Sequence, residues 1–312
     1  MGAYLGIQSQ ISRNNTLTVL YLLAFPLLVF ATLYALMFNV LENDDGSAIT
    51  IQQTNEFFLS TLPYTGGAIV FWFIIAFFSH SRMISKATGA KPLERKENIR
   101  VYNLVENLCM AEGMPMPKVN IMQDEAMNAF ASGLSDKNFT ITLSKGIIDN
   151  LSDEELKAVI AHELMHIKSR DVRLLVITIV FVGLFSFMAQ RMFLASAFGL
   201  NVSSKRGRGF AAFVIVLLAF MLAILFRMGL SRKREYAADA GAAELTKNPA
   251  ALASALRKIS GNSELISVQN MDVKEMFICN QPGKSHHLLN QLQTLFSTHP
   301  PIEKRIQILE GF

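Results

Sequence analysis

His162-Glu163-Leu164-Met165-His166 lies within Ser152–Ser169, the segment around which the rest of the chain can be placed. Residues four apart share one face of a helix, so both imidazoles can reach one metal ion. Glu163 projects about a quarter-turn away, where it can touch a water on that ion. Two neutral nitrogen donors beside a general base form the set that zinc-dependent hydrolysis uses. The start of the helix is equally legible. Ser152, with Glu155 three residues later, makes a Ser-x-x-Glu capping box and predicts a helix from Asp153 to Ser169. Leu156, Val159 and Ile160 would pack that helix against a short sheet.

The sheet is expected just upstream. Val101, Leu104, Val105, Leu108 and Cys109 recur at helical spacing over Asn98–Glu112, and Met114-Pro115-Met116-Pro117 ends that helix. Three short strands follow at Lys118–Met122, Asn128–Ser132 and Phe139–Leu143. Downstream, Ser231–Ile259 reads as one long Ala-rich helix, Gly261–Gly283 as irregular chain and Ile302–Leu309 as a terminal helix.

The rest of the chain is too apolar for an ordinary soluble protein. Hydrophobic residues make up 51%, charged residues only 17%, and the mean hydropathy is +0.31, which points to a membrane protein. Four apolar segments stand out: Thr16–Val40, Thr61–Phe78, Val172–Leu200 and Phe210–Leu230. The first exceeds a signal-peptide core and is not closed by a cleavage site, so it reads as a retained anchor. Gln190 and Arg191 interrupt the third segment, and Arg227 lies near the end of the fourth. Arg191 at mid-membrane would be costly, so these two segments read as a hairpin that need not cross fully.

Lysine and arginine set the expected orientation. The loop Leu41–Ser60 carries Glu42, Asp44, Asp45 and Glu56 without a basic residue. After the second segment come Arg82, Lys86, Lys91, Arg95, Lys96 and Arg100. The asymmetry puts the acidic loop outside and Ser79–Asp171 in the cytoplasm. Lys205, Arg206 and Arg208, between the last two segments, cut against a simple crossing pattern. The net charge of +4 sits beside the hydrophobic spans and is topology information, not a nucleic-acid footprint. Cys109 and Cys279 lack Cys-x-x-Cys spacing and read as free thiols in a reducing compartment.

Two histidines do not complete a zinc site. An extended His-Glu-x-x-His-x-x-Gly-x-x-His pattern fails, because Ser169 and Val172 stand where it needs glycine and histidine. The best third ligand is Glu235, which shares a helix face with Asp239 at i, i+4 spacing. One of these carboxylates can bind metal while the other accepts a hydrogen bond from a ligating histidine. Asp171, just past the motif helix, can cap or hydrogen-bond the ligand helix and reads as a structural residue, and His80, His286 and His287 need no special role.

His162-Glu163-x-x-His166 followed, after a hydrophobic hairpin, by Glu235-Tyr236-x-Ala238-Asp239 resembles the HtpX-type bacterial membrane metalloproteases, relatives of the CAAX-prenyl endopeptidases. The resemblance covers nearly the whole chain. It extends to Asn128-Ala129-Phe130-Ala131-Ser132-Gly133 and to Thr298-His299-Pro300-Pro301-Ile302-Glu303-Lys304-Arg305-Ile306. It implies a mainly α membrane protein with four hydrophobic helices and a cytoplasmic, zincin-like α+β metalloprotease domain containing a small sheet. The expected divisions are 1–80, a membrane anchor; 81–171, the catalytic region; 172–230, the hairpin; and 231–312, the region with the third ligand.

By that resemblance one Zn2+ per chain is held by His162, His166 and Glu235. Glu163 acts as general base and acid, and Asp239 supports a ligand from behind. His299 lies near the zinc and stabilises the oxyanion, and Arg305 is a structural or electrostatic partner. Asn128, Ala129, Phe130, Ala131 and Ser132 form the edge strand that receives substrate. The implied activity is endopeptidase cleavage of misfolded or unfolded membrane proteins at the bacterial inner membrane, as quality control under stress such as heat shock. A homo-oligomer is left open, and nucleic acid is not expected. The competing reading is a metal-stabilised membrane chaperone or scaffold that does not cut, although such a site has no need of Glu163. An intramembrane-cleaving peptidase fits less well. The motif has polar flanks, Ser152–Glu155 and Lys168–Asp171, and the Asn-Pro-Asp-Gly segment of that class is absent.

Overall fold

The computed structural model describes residues 7–41, 43, 47–197, 208–228, 233–262, 276–278 and 300–312. One unit gathers the described residues of 1–16, 79–176 and 230–312, and a second those of 17–78 and 177–229.

The second unit is made from the apolar segments. Helices α1 (Ile7–Val40) and α2 (Ile51–Thr88) both outrun the apolar cores read from sequence, because their polar ends continue the same helical hydrogen bonding. Pro26 sits inside α1 and Pro63 inside α2. The hairpin helices are α6 (Asp171–Ala197) and α7 (Arg208–Met228). Among the described residues, stretches of α1, α2 and α6 are long and apolar enough to cross a membrane, and Ala211–Leu225 of α7 is a further apolar run. Inside the unit, Phe25 stacks on Phe181 at 4.3 Å, and Phe73 flanks the same ring at 5.9 Å. Leu23, Leu27, Phe71, Phe78 and Leu218 are exposed. Outward rows of large apolar side chains suit lipid, not water.

In the first unit, Asn98 caps α3 (Ile99–Glu112) by accepting from the Val101 N–H. A four-stranded sheet follows in the order β1-β2-β4-β3, with β1 at Lys91–Pro92, β2 at Lys118–Met122, β3 at Ala129–Ser132 and β4 at Thr140–Ser144. β2 runs parallel to β4, and β3 runs antiparallel to it. The β3–β4 turn needs Gly133: φ is +127°, and a Cβ there would lie 2.7 Å from the Asn138 carbonyl oxygen. Ser144 ends β4 and caps α4 (Lys145–Asn150), a short helix the periodicity did not announce.

The capping box at Ser152 and Glu155 forms as expected and starts α5 (Asp153–Ser169). This helix is the centre of the unit, with Leu156, Val159, Ile160, Ala161 and Leu164 wholly buried. Its burial comes from neighbours on several sides: α5 packs on α3, β3, β4 and two downstream helices. Each such Leu, Val or Ile side chain contributes about 1.5–3 kcal/mol on burial.

The expected single helix over Ser231–Ile259 is instead two: α8 (Lys233–Thr246) and α9 (Pro249–Gly261). Pro249 has no N–H to continue the ladder and pushes the residue before it out of the helical region. Lys247 takes φ +54°, and Asn248 caps α9 through the Ala251 N–H. The last described helix is α10 (Ile302–Glu310), which packs on α9 and α8.

Candidate metal centre

α5 and α8 bring the predicted ligands together. His162 and His166 lie one turn apart on α5, and their Nε2 atoms are 3.1 Å from each other. Glu235, in the first turn of α8, places Oε2 3.7 Å from His162 Nε2 and Oε1 3.7 Å from His166 Nε2. Glu163 is 2% exposed and lines the same cavity as the three ligand candidates.

Each ring is held from behind by a carboxylate. Asp239, one turn after Glu235, lies 2.9 Å from His162 Nδ1. Asp171, the first residue of α6, lies 2.9 Å from His166 Nδ1 through Oδ2 and 3.2 Å through Oδ1. From sequence, Asp171 reads as a structural residue that can cap or hydrogen-bond the ligand helix; the histidine partner itself is not named there. The signal was present as an acid just past the end of the motif helix, but nothing in the spacing tells a helix-end charge from a histidine partner.

Arg305 reaches in from α10 and is 1% exposed. Its Nε and Nη2 donate to the two Asp239 oxygens at 2.8 and 2.7 Å, and Nη1 donates to the Ile278 carbonyl at 3.1 Å. Such a two-point ion pair is directional as well as strong. His299 lies outside the described residues, as do His286, His287, Cys279, Lys205 and Arg206.

The electrostatics favour positive charge at this point. Burial works against an imidazolium at His162, yet Asp239 and Glu235 outweigh it and raise the pKa. Burial opposes charge on His166 too, and Asp171 and Glu235 raise its pKa. At Asp239 burial is overcome by Arg305 and His162, which pull the carboxyl down to about 2. Glu163 is pushed up, chiefly by burial.

These residues fit a tetrahedral metal. With Nδ1 of each ring donating to its own carboxylate, each neutral imidazole turns a lone pair outward from Nε2. Two lone pairs 3.1 Å apart, with a carboxylate facing both, repel unless a cation lies among them. Ligand atoms about 2.0–2.1 Å from zinc stand about 3.3 Å apart in a tetrahedron. The two Nε2 atoms stand 3.1 Å apart, close to that value, and each faces one Glu235 oxygen at 3.7 Å.

β3 flanks the cavity at the sheet edge. The expected strand began at Asn128, but Asn128 instead uses its side-chain oxygen to accept the Ala129 N–H at 3.0 Å, and the strand runs from Ala129. Asn128 C=O accepts from Ser144 N–H, so by alternation the backbone groups of Ala129 and Ala131 face away from β4. Ala129 C=O is taken by Ile278 N–H at 2.9 Å, and Phe277 packs edge-on against Phe130 at 5.1 Å. Ala131 lines the metal cavity together with Met276 and Ile278. Nothing in the plain apolar run Met276-Phe277-Ile278 announced this placement.

Comparison with known proteins identifies the family. Residues 95–312 match the model of peptidase family M48. A Protease HtpX homolog from Bacteroides fragilis is 51% identical over 321 residues, covering 99% of each chain. Homologs of the same name from Dictyoglomus turgidum and Listeria monocytogenes are 40% identical over 78% of this chain and 34% identical over 97% of it. They are covered over 81% and 98% of their own lengths. Among solved structures, Ste24p from S. mikatae aligns with a TM-score of 0.49 at 18% identity, covering 96% of this chain and 66% of that one. The chain belongs to peptidase family M48, alongside the HtpX proteases, and is a membrane metalloprotease.

Proposed function

We propose that this chain is a zinc-dependent endopeptidase of the bacterial inner membrane that cuts misfolded or unfolded membrane proteins from the cytoplasmic side. The observation that carries the reading is the convergence of His162, His166 and Glu235 beside a buried Glu163. The metal is zinc in this reading, because two imidazoles and a carboxylate suit it and leave a fourth position open for chemistry. The chemistry supplied by bound zinc is Lewis acidity, which polarises the scissile carbonyl and acidifies a water.

The protein's own residues do the rest. Glu163 takes the proton of the attacking water and delivers it to the leaving nitrogen. Its burial suits that task, since it favours a carboxyl that both holds and releases a proton. His162 and His166 are kept in one orientation by Asp239 and Asp171. Arg305 neutralises Asp239. His299 serves as the oxyanion donor by the family resemblance. A substrate strand would use the outward N–H and C=O of Ala131, giving hydrogen bonds that ignore side-chain identity. Broad cleavage of exposed segments follows, as quality control under stress requires.

The cytoplasmic orientation is supported by the acidic loop Leu41–Ser60 and the basic run from Arg82 to Arg100. The deciding experiment measures cleavage of an unfolded protein by wild type and by Glu163→Gln at equal zinc content. We expect a loss of roughly 10^2–10^4-fold in the variant. Equal rates, or cleavage by neither, would remove the protease reading and favour a non-cleaving scaffold.

A further inference from the structure

We infer that Asp171 is a positioning residue of the hydrolytic site: from the first turn of α6 it accepts the hydrogen bond of His166 Nδ1 and holds the ring with Nε2 turned to the metal. The inference rests on the reading of His162, His166 and Glu235 as metal ligands.

An acidic residue in the first turn of a helix has an ordinary explanation. It complements the helix dipole and needs no further partner. A solvent-facing carboxylate would serve that purpose, and Asp171 does not face solvent. Its side chain is 5% exposed, and both oxygens lie within hydrogen-bond reach of one ring nitrogen, at 2.9 and 3.2 Å.

The backbone is bent to achieve this. One residue, Arg170, separates α5 from α6, and it takes the left-handed conformation with φ 61° and ψ 17°. A non-glycine residue visits that region less readily than glycine does. That single left-handed residue reverses the chain so that Asp171 faces His166. An αL residue commonly ends a helix, and here it sets the point at which α6 begins.

The consequence is chemical. A neutral imidazole carries one proton, so a partner at Nδ1 leaves the lone pair at Nε2. Here Nε2 points at His162 Nε2 and Glu235 Oε1, 3.1 and 3.7 Å away. With Asp171 gone, the ring could adopt the other tautomer or turn, and the ligand set would lose a member for part of the time. Asp171 therefore does for His166 what Asp239 does for His162. It is also the residue at which the helix with the third apolar stretch begins.

The test uses the full-length protein in detergent, stripped of metal and titrated with zinc against a chromophoric chelator. Wild type is compared with Asp171→Ala, Asp171→Asn and Glu235→Ala, and the visible spectrum of each protein is recorded with cobalt in place of zinc. We expect Asp171→Ala to lose roughly 10–100-fold in zinc affinity and to alter the cobalt spectrum. Asp171→Asn keeps an acceptor but not the charge, and should fall between. This isosteric variant carries the test if the alanine variant fails to fold. Zinc affinity within twofold of wild type and an unchanged cobalt spectrum in the Asp171 variants would overturn the inference, even with a lowered melting temperature, which marks a helix-end role alone. If Glu235→Ala loses zinc in that same experiment, the ligand reading stands while the Asp171 role falls. If Glu235→Ala keeps zinc, the ligand reading falls and takes the Asp171 role with it.

Discussion

α5 opens with a capping box and three acids in its first turn, and ends with His166 and Lys168 in its last. α8 carries Lys233, Arg234 and Glu235 in its first described turn, with no matched run of acids there. The first helix is specified locally, by caps and charge that match its direction. The second is held by what it touches. Ala238, Ala242 and Ala243 are buried, Asp239 is gripped by Arg305, and Gly241 lies against Met165 of α5. The difference teaches how the metal site is assembled. Two ligands and the base arrive together on a self-sufficient helix, and the third arrives only if packing delivers it.

Substitutions on the α8 side should therefore cost metal, with α5 left intact. The largest effect is expected for Glu235→Ala, which should leave the purified protein without bound zinc and without cleavage of an unfolded substrate. Metal analysis at wild-type stoichiometry would remove Glu235 from the ligand set. Next comes Arg305→Met. It leaves Asp239 buried and unneutralised, and losing one partner of a buried ion pair costs about 3–5 kcal/mol. Thermal unfolding of the zinc-free protein should show it, and an unchanged transition would mean Asp239 is balanced by other groups. Smaller again is Gly241→Leu. A Cβ at this position would already fall 2.7 Å from Met165 Sδ. Overpacking of about 1–3 kcal/mol should push α8 from α5 and weaken zinc binding. Gly241→Ala should be nearly neutral, because the flexible Met165 side chain can yield and alanine is the better helix former. Equal zinc affinity in the leucine variant would show that the two helices can part without opening the site.

The same contrast explains what could be read in advance. α5 was legible to its ends because its cap, acids and His-Glu-x-x-His spacing all lie within one short stretch. Glu235 was found only as the answer to a question that α5 posed. α8 and α9 were merged, since the alanine-rich pattern runs through Asn248-Pro249 and hides a break that proline makes obligatory. Arg305 could be placed near the site by resemblance, but its grip on both Asp239 oxygens is a tertiary fact with no local signal. Asp171 and the Met276–Ile278 segment were underread for the same reason. Their roles depend on one left-handed residue and on one backbone hydrogen bond to β3, and neither is encoded by periodicity.

The mildest effect is expected where α5 is most self-sufficient, and it can be isolated by pH. Glu155 closes the capping box by accepting from Ser152 N–H at 2.9 Å, and it also accepts from Lys258 Nζ and Ser254 Oγ of α9, both at 2.7 Å. Burial pushes its pKa up, but Lys258, Ser254 and Ser152 together outweigh that and lower it from the ordinary 4.5 to about 2. A carboxyl whose pKa is depressed by folding stabilises the folded state above its unfolded pKa, and the stabilisation drains away as pH falls towards the folded value. The window is therefore pH 4.5 down to about 2. Zinc-free wild type should lose stability across that window more steeply than Glu155→Gln, which has no proton to take up. At neutral pH the order reverses in consequence, with the glutamine variant less stable than wild type because its neutral amide no longer pairs with Lys258. Removing the other half of the box, by Ser152→Ala, should cost about 1 kcal/mol at every pH and leave the slope nearly unchanged. If Glu155→Gln shows the wild-type slope, the acid sensitivity belongs to other carboxyls and the α5–α9 junction is not a charged clasp.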